Sequence, residues 1–305
     1  MEQQQASGVN NNFRKPNFLI VGAAKAGTTS LANYLNQHPD IFIPEAKELR
    51  FFVKDTILKT NPKDPLLEGI LKSSVLDEDD YFALFQRKEK LLGEASVHYL
   101  YHYEEAIPKI KKYLGDIPII IVLRNPVDRA ISNIRYLYQS HKSSTIEGEI
   151  ALEKNRKEDG FNAFWYYTEL GLYYNQVKQY LNHFSKVKVL FYEDLKNKPD
   201  YFFKEALTFL EVQHIDLSKY NSFNATIHPN WKYRFLQKTG VTKLMGFLFS
   251  KQKKEQIKMK IRNHFFIKTE LSFQPKTLEQ LKGFYKSDVQ NLEKLLNKNL
   301  TQWYS

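Results

Sequence analysis

The chain has 305 residues, of which 42% are hydrophobic and 14% aromatic, enough for one large domain with its own core. Lysine and arginine number 45 against 34 acidic residues, and the net charge of +11 suits an anionic ligand. No cysteine is present, which excludes disulfides, thiolate metal sites and a cysteine nucleophile.

Residues 1–16 are polar, Gln/Asn-rich and without periodicity, and they read as a disordered lead. They lack the apolar core of a signal peptide, and no apolar run of about 18 residues occurs anywhere. The chain therefore reads as soluble and cytoplasmic, with no membrane partner. Its basic residues are scattered rather than massed and carry no nucleic-acid signature, so nucleic acid is not expected as a partner. There are no internal repeats or oligomerisation heptads.

A single domain is expected over 17–305. Phe18–Val21 reads as a buried strand. Gly22 to Gly27 form a small-residue loop, and Thr28, Thr29 and Ser30 open a helix in which Leu31, Tyr34 and Leu35 recur at helical spacing. Strand, loop and hydroxyl-rich helix start make a phosphate cradle, because loop amides and the helix N-terminus offer free N–H donors and a partial positive charge. A nucleotide-hydrolysing loop reads G-x-x-x-x-G-K-[ST]. Gly22 and Gly27 keep that interval, but Thr28 stands where the lysine would be, and Lys25 lies inside the loop.

A turn at His38-Pro39-Asp40 leads to a second short strand, Ile41–Ile43. Lys47-Glu48-Leu49-Arg50-Phe51-Phe52 follows just past its end, where open α/β sheets hold their ligand crevice. Glu48 is placed there to accept a proton. Asp77–Asp80 can cap a helix over Tyr81–Phe85. In the stretch Gly93–Leu100, His98 is a second candidate base or acceptor contact, because an ordinary histidine titrates near neutrality.

The apolar run Ile117–Leu123 reads as a central parallel strand buried on both faces, with Arg124 at its end. Asn125-Pro126 turns the chain into a helix expected over Val127–Tyr138, with Ser132 on the side of the same crevice. A guanidinium at a strand end and a hydroxyl eight residues later can clamp one phosphate. A magnesium-dependent nucleotide hydrolase would need a carboxylate at such a strand end. Further helices are expected over 146–152, 171–181 and 201–210 and after Pro275, with a strand over Val187–Phe191 followed by Tyr192.

These motifs resemble the sulfotransferase superfamily, closest to the heparan-sulfate-type and bacterial members. Lys25 to Leu31 resemble P-K-[SA]-G-T-T-[ST]-L, with Ala24 in the place of the proline. Arg124, Asn125, Pro126, Asp128, Arg129 and Ser132 match every fixed position of R-[ND]-P-x-[DE]-R-x-x-S. Glu48 to Phe52 resemble E-x-H-F-F, with Arg50 replacing the histidine. Glu94, Ser96 and Tyr99 match G-E-[KA]-[ST]-P-x-Y, with Val97 replacing the proline.

The resemblance implies an α/β fold, a central parallel β-sheet flanked by helices in the P-loop-like arrangement. It implies 3′-phosphoadenosine 5′-phosphosulfate as sulfuryl donor, 3′-phosphoadenosine 5′-phosphate as product, and no metal. Lys25, Ala26, Gly27, Thr28, Thr29 and Ser30 are then expected at the 5′-phosphosulfate, Arg124 and Ser132 at the 3′-phosphate, and Tyr192 near the adenine. Glu48 is expected as general base and Lys25 as the cation on the leaving phosphate, with Arg50, Ser96 and His98 towards the acceptor. That acceptor would be a hydroxyl or amine of a carbohydrate or small natural product. Asp128 and Arg129 are expected to be structural. The basic Gly-containing loop of many relatives is missing, and Lys232, Arg234 and Arg262 are candidate substitutes. The rival readings are a P-loop kinase or NTPase and a non-catalytic nucleotide- or polyanion-binding protein.

Overall fold

The computed structural model describes residues 13–137, 145–215, 227–229, 266–268 and 274–305. Five strands form one sheet: β1 (Phe18–Gly22), β2 (Ile41–Phe42), β3 (Leu91–Ala95), β4 (Ile119–Leu123) and β5 (Val187–Phe191). Their order is β2-β3-β1-β4-β5, and every neighbouring pair is parallel. The chain runs outward from β1 through β2, returns to β3 beside it, and then crosses to β4 on the opposite side of β1. The order therefore reverses at β1, and the loops leaving the carboxyl ends of β1 and β4 open into the crevice that such a reversal creates.

Burial follows from this topology. Every side chain of β1 and β4 is buried, as strands covered on both faces must be. Phe18 lies opposite Gly93 on β3, and a Cβ at position 93 would meet the Phe18 ring at 2.1 Å, so the aromatic ring rests directly on the glycine backbone. Ile20 faces Ile120 while Gly22 faces Ile121, which leaves Val21 as an extra residue and bends the end of β1 where the loop begins.

The helices that position the site are α1 (Thr28–Leu35), α2 (Leu67–Ser73), α3 (Pro126–Leu137), α4 (Tyr173–His183), α5 (Tyr192–Asn197), α6 (Pro199–Phe209) and α7 (Pro275–Leu296). Tyr34 of α1 stacks on Phe203 of α6 with ring centroids 3.6 Å apart. The carboxylate of Asp288 on α7 accepts the backbone N–H groups of Tyr173 and Tyr174 at 2.7 and 3.2 Å, which caps α4. Trp303 packs its ring beside Tyr173 and Phe191 and seats the C-terminus on the core. A separate antiparallel ribbon pairs Ile227–Pro229 with Phe266–Lys268.

Several boundaries differ from expectation for identifiable reasons. Helix α3 starts at Pro126, whose missing N–H costs nothing at a helix start, and its expected last residue, Tyr138, lies outside the described residues. Helix α6 likewise starts at Pro199. Gly171 precedes α4 in a short 3-10 turn against Tyr285. Asp77 itself is the cap, accepting the Asp80 N–H at 3.1 Å, so that helix starts at Glu78. The polar lead expected to run to residue 16 is fastened from residue 13. There Phe13 packs against the core, Arg14 donates to the Glu89 carbonyl at 2.9 Å and Lys15 to that of Tyr113 at 3.2 Å. Among the described residues no helix is long and apolar enough to cross a membrane.

Candidate active site

The loop after β1 is shaped by two left-handed residues. Gly27 has φ 95°, and a Cβ there would lie 2.8 Å from Leu195 and 3.1 Å from the Tyr192 ring, so conformation and space both require glycine. Lys25 has φ 67°, uncommon for a residue with a side chain. The Ala23 N–H donates to the Val122 carbonyl at 2.7 Å and ties the loop to β4. The Lys25 ammonium sits 3.9 Å from the centre of the Tyr136 ring. Burial, and then the charges of Arg124, Lys47 and Arg129, lower its pKa to about 8. Gly27, Thr28, Thr29 and Ser30 line the cleft. Ala26 does not: it is fully buried, and its N–H is turned to the Ala23 carbonyl at 3.3 Å, which corrects its expected place on the phosphate.

Opposite this loop, residues 47–52 are pinned to the segment after β3. The Glu48 N–H donates to the Ala95 carbonyl at 3.2 Å, and the Glu48 carboxylate accepts the Val97 N–H at 3.0 Å. Glu48 and Arg50 both adopt positive φ, 70° and 57°. Two such residues in one short loop mark strain that the surrounding bonds impose, as is common where a side chain is held for chemistry. Lys47 places its ammonium 3.5 Å from Glu48 and donates to the hydroxyls of Thr28 and Thr29 at 3.1 and 3.0 Å. Arg50 lines the cleft but is nearly buried, and one guanidinium nitrogen donates to the Glu48 carbonyl and to Ser73 and Ser74.

Two expected acceptor contacts lie behind this wall. Ser96 is fully buried; its hydroxyl donates to Glu94 and accepts the Arg50 N–H at 3.0 Å, so it braces the Glu48 loop instead of reaching the cleft. His98 is also fully buried, its ring 4.1 Å from that of Phe164, and neither ring nitrogen has a hydrogen-bond partner among the described residues. Burial, helped by Arg50 and His102, holds its pKa well below the ordinary range, so it is a neutral packing residue. Both assignments fail because the chain turns inward at the start of the short helix His98–Tyr101.

Arg124 leaves β4 and projects into the same cleft. Its guanidinium lies 4.5 Å above the Tyr192 ring and donates to the Lys25 carbonyl at 3.3 Å, while its buried Nε has no partner among the described residues. Asn125 accepts the Val127 N–H at 2.9 Å and caps α3, and its own N–H is held by Glu193 at 2.9 Å. Ser132, two turns along α3, lines the cleft. Arg129 is fully buried and donates to the Tyr167 carbonyl, a structural placement. Lys232, Arg234 and Arg262 lie outside the described residues.

These elements enclose a cleft of about 1050 Å³. Its lining includes the loop, Arg124, Tyr192 and Lys196, and also Leu66, Ile70 and Ser73 from α2 and its approach, with Val97, Leu137 and Phe164. Lys47 and Tyr136 were not among the expected site residues. Tyr136 lies four residues after Ser132 on the same helix face, a signal the sequence carried. Lys47 was visible only as the neighbour of Glu48.

A family model described as Sulfotransferase domain matches residues 15–295. This chain belongs to that family. A crystal structure of a sulfotransferase from Alicyclobacillus acidocaldarius is 31% identical, covers 96% of this chain and 100% of that one, and superposes with a TM-score of 0.71. The membrane-associated sulfotransferase kil1 of Dictyostelium discoideum is 22% identical over 294 residues, covering 70% of this chain and 59% of that protein. Mouse (Mus musculus) heparan sulfate glucosamine 3-O-sulfotransferase 3B1 is 27% identical over 216 residues, covering 69% of this chain and 50% of that protein. The chain thus spans between half and three-fifths of the length of these two curated relatives. Within this sulfotransferase-family chain, the matched residues contain the whole β1–β5 sheet and every expected site residue.

Proposed function

We propose that the chain transfers a sulfuryl group from 3′-phosphoadenosine 5′-phosphosulfate to a hydroxyl or amine of a small acceptor or a carbohydrate. The observation that carries this reading is the convergence on one cleft of a glycine-shaped anion loop, a second cation at the end of β4, and a carboxylate facing both. The residues fit such a donor. Arg124 has an unpartnered buried Nε, and the space over Gly27 is closed by Leu195 and Tyr192 to anything larger than a hydrogen. Arg124 and Ser132 would hold the 3′-phosphate, Gly27 to Ser30 the 5′-phosphate, and Tyr192 the adenine face.

Bound there, the donor would supply a sulfuryl group whose bond to the bridging phosphate oxygen breaks as the acceptor oxygen or nitrogen bonds to sulfur. Glu48 takes the acceptor proton, its second oxygen fixed by the Val97 N–H. Lys25, in its desolvated position, stabilises charge growing on the leaving phosphate. The walls of α2, Val97, Leu137 and Phe164 are largely apolar, which supports a small, weakly charged acceptor over a polyanionic glycan chain.

The test is a Glu48→Gln variant assayed for transfer and, separately, for a thermal shift with 3′-phosphoadenosine 5′-phosphate. A general base contributes about 10²–10⁴-fold, so turnover falls by that order while the thermal shift is retained. Full turnover in the variant would refute the base assignment. A wild-type chain that binds the nucleotide but transfers nothing to any acceptor would be a binding protein.

A further inference from the structure

Helix α2 turns one face to the cleft. Leu66, Gly69, Ile70 and Ser73 all line it, and residues three, four and seven after Leu66 share its side of the helix. Glycine is the exception in that stripe. Its backbone is helical, a conformation any residue adopts, and a Cβ placed there would meet nothing within 4 Å. Neither conformation nor packing asks for glycine, and glycine in a helix interior is less stable than alanine. Gly27 and Gly93, by contrast, are each closed by a neighbouring side chain. What the missing side chain leaves at position 69 is a notch open to the cleft. Its floor is helix backbone, and the Gly69 carbonyl accepts the Ser73 hydroxyl at 3.0 Å, so this polar group is already paired. The charged residues of α2, Glu68 and Lys72, pair with each other and are not among those lining the cleft. The helix is also fastened to the base loop. One Arg50 guanidinium nitrogen donates to the Glu48 carbonyl at 2.7 Å and to the Ser73 hydroxyl at 2.9 Å, and the Val75 N–H donates to the Leu49 carbonyl at 2.9 Å. Ser73 lies one turn, about 6 Å along the helix, beyond Gly69.

We propose, resting on the sulfotransferase reading above, that α2 is the acceptor wall and that Gly69 sets the bulk it admits: an uncharged alcohol seats an apolar ring in the notch beside Leu66 and Ile70, with its hydroxyl towards Glu48. Burial of the ring supplies affinity in proportion to the apolar area removed from water. The fastening through Arg50 and Leu49 keeps the seat in a fixed relation to the base. A side chain at position 69 would occupy the space of the ring without displacing any protein atom, since none stands within 4 Å. Bulk added there acts on the ligand and leaves the fold alone.

Benzyl alcohol and 2-naphthalenemethanol are the probes, because they carry the same hydroxymethyl group and differ by one ring. Their affinities are measured by equilibrium dialysis against the full chain saturated with 3′-phosphoadenosine 5′-phosphate, as wild type, Gly69→Ala and Gly69→Leu. Gly69→Leu should weaken 2-naphthalenemethanol by about tenfold or more, benzyl alcohol by less than about threefold and the nucleotide by less than about twofold. Gly69→Ala should fall between wild type and Gly69→Leu, and its unliganded Tm should rise by about 1–2 °C, since the helix gains and nothing is displaced. With 3′-phosphoadenosine 5′-phosphosulfate as donor, transfer to 2-naphthalenemethanol by Gly69→Leu should lose the same factor as a rise in KM. Unchanged affinity for 2-naphthalenemethanol in that variant would overturn the proposal. Equal weakening of both alcohols and the nucleotide would overturn it as well and make α2 a support for the whole cleft. A wild-type chain that binds the nucleotide but neither alcohol, or binds the alcohols without sulfating them, would also overturn it and leave the donor reading standing. A wild-type chain that does not bind the nucleotide would instead remove the reading beneath it, and the proposal with it.

Discussion

Replacing Arg124 by alanine tests the donor assignment at the residue that separates it from ATP-using alternatives. Among the described residues the guanidinium has one weak bond, to the Lys25 carbonyl at 3.3 Å, and a buried Nε without a partner, which leaves most of its donor fork open to a phosphate. Hydrogen bonds to charged groups contribute about 1.5–3 kcal/mol. A loss near the upper half of that range weakens 3′-phosphoadenosine 5′-phosphate by about 30- to 150-fold. At a nucleotide concentration about 100 times the wild-type Kd, binding stabilises the wild type by about 2.7 kcal/mol, and a variant weakened about 100-fold by only about 0.4 kcal/mol. At about 2 °C per kcal/mol for a chain of this size, the thermal shift shrinks by about 4–5 °C. Adenosine 5′-phosphate, lacking the 3′-phosphate, should lose less than about threefold, because the stack of Arg124 on Tyr192 is all that it shares with the lost side chain. Equal losses for both nucleotides would show that Arg124 only shapes the loop, and no loss for either would remove it from the site.

Three further outcomes follow from the same geometry. On the proposed reading Lys25 acts as a cation, and its pKa is lowered to about 8, so kcat/KM should fall as pH rises through about 8, and Lys25→Arg should move that limb upward; a limb unchanged in the variant would assign it to another group. Glu94 is fully buried, and burial raises its pKa from 4.5 to about 7, so its contribution to stability is complete below pH 4.5 and is lost as pH rises through about 7. Urea titrations should therefore show Glu94→Gln gaining on the wild type across that window, by up to about 3 kcal/mol; a constant difference would refute the shift. Gly93→Ala places a Cβ 2.1 Å from the Phe18 ring and should cost about 1–3 kcal/mol, lowering Tm by about 2–6 °C, with partial recovery in the Phe18→Leu double variant and none if the strands simply move apart.

The parts of the site that were legible in the sequence are those fixed by local order. A strand, a small-residue loop and a hydroxyl-rich helix start are contiguous, so Lys25 and Gly27 to Ser30 could be placed without knowing the fold. Arg124 could be placed because an unbroken apolar run ends at it. Contacts that need the tertiary fold were not legible. Lys47 reaches Thr28 and Thr29 across nearly twenty residues of chain, only because β2 returns beside β3 and leaves both loops on the same edge of the sheet. Ser96 and His98 sit next to Val97, which does line the cleft, yet they point inward. Alternation along an extended segment would have put them on the side opposite Val97, but the irregular turn after β3 made that period hard to assign. The helix Tyr103–Leu114 carries Pro108 inside it, a residue that argues against a helix interior, so its local sequence signal is weak.

The charge arrangement, more than the sheet, distinguishes this cleft from that of a nucleotide hydrolase. There a lysine follows the second loop glycine, and a carboxylate at a neighbouring strand end holds magnesium. Here Thr28 takes the lysine position, Arg124 takes the strand end, and the lysines enter from inside the loop and from the facing wall. The result is a cleft with an excess of positive charge: Arg124, Lys47 and Arg129 all push the Lys25 proton off. On the proposed reading, a phosphate-rich donor would offset that repulsion. The same lining also includes the apolar side chains Leu66, Ile70, Val97, Leu137 and Phe164. Glu48 and Lys47 line the same cleft, so on the proposed sulfuryl-transfer reading an acceptor would meet them beside the anion loop.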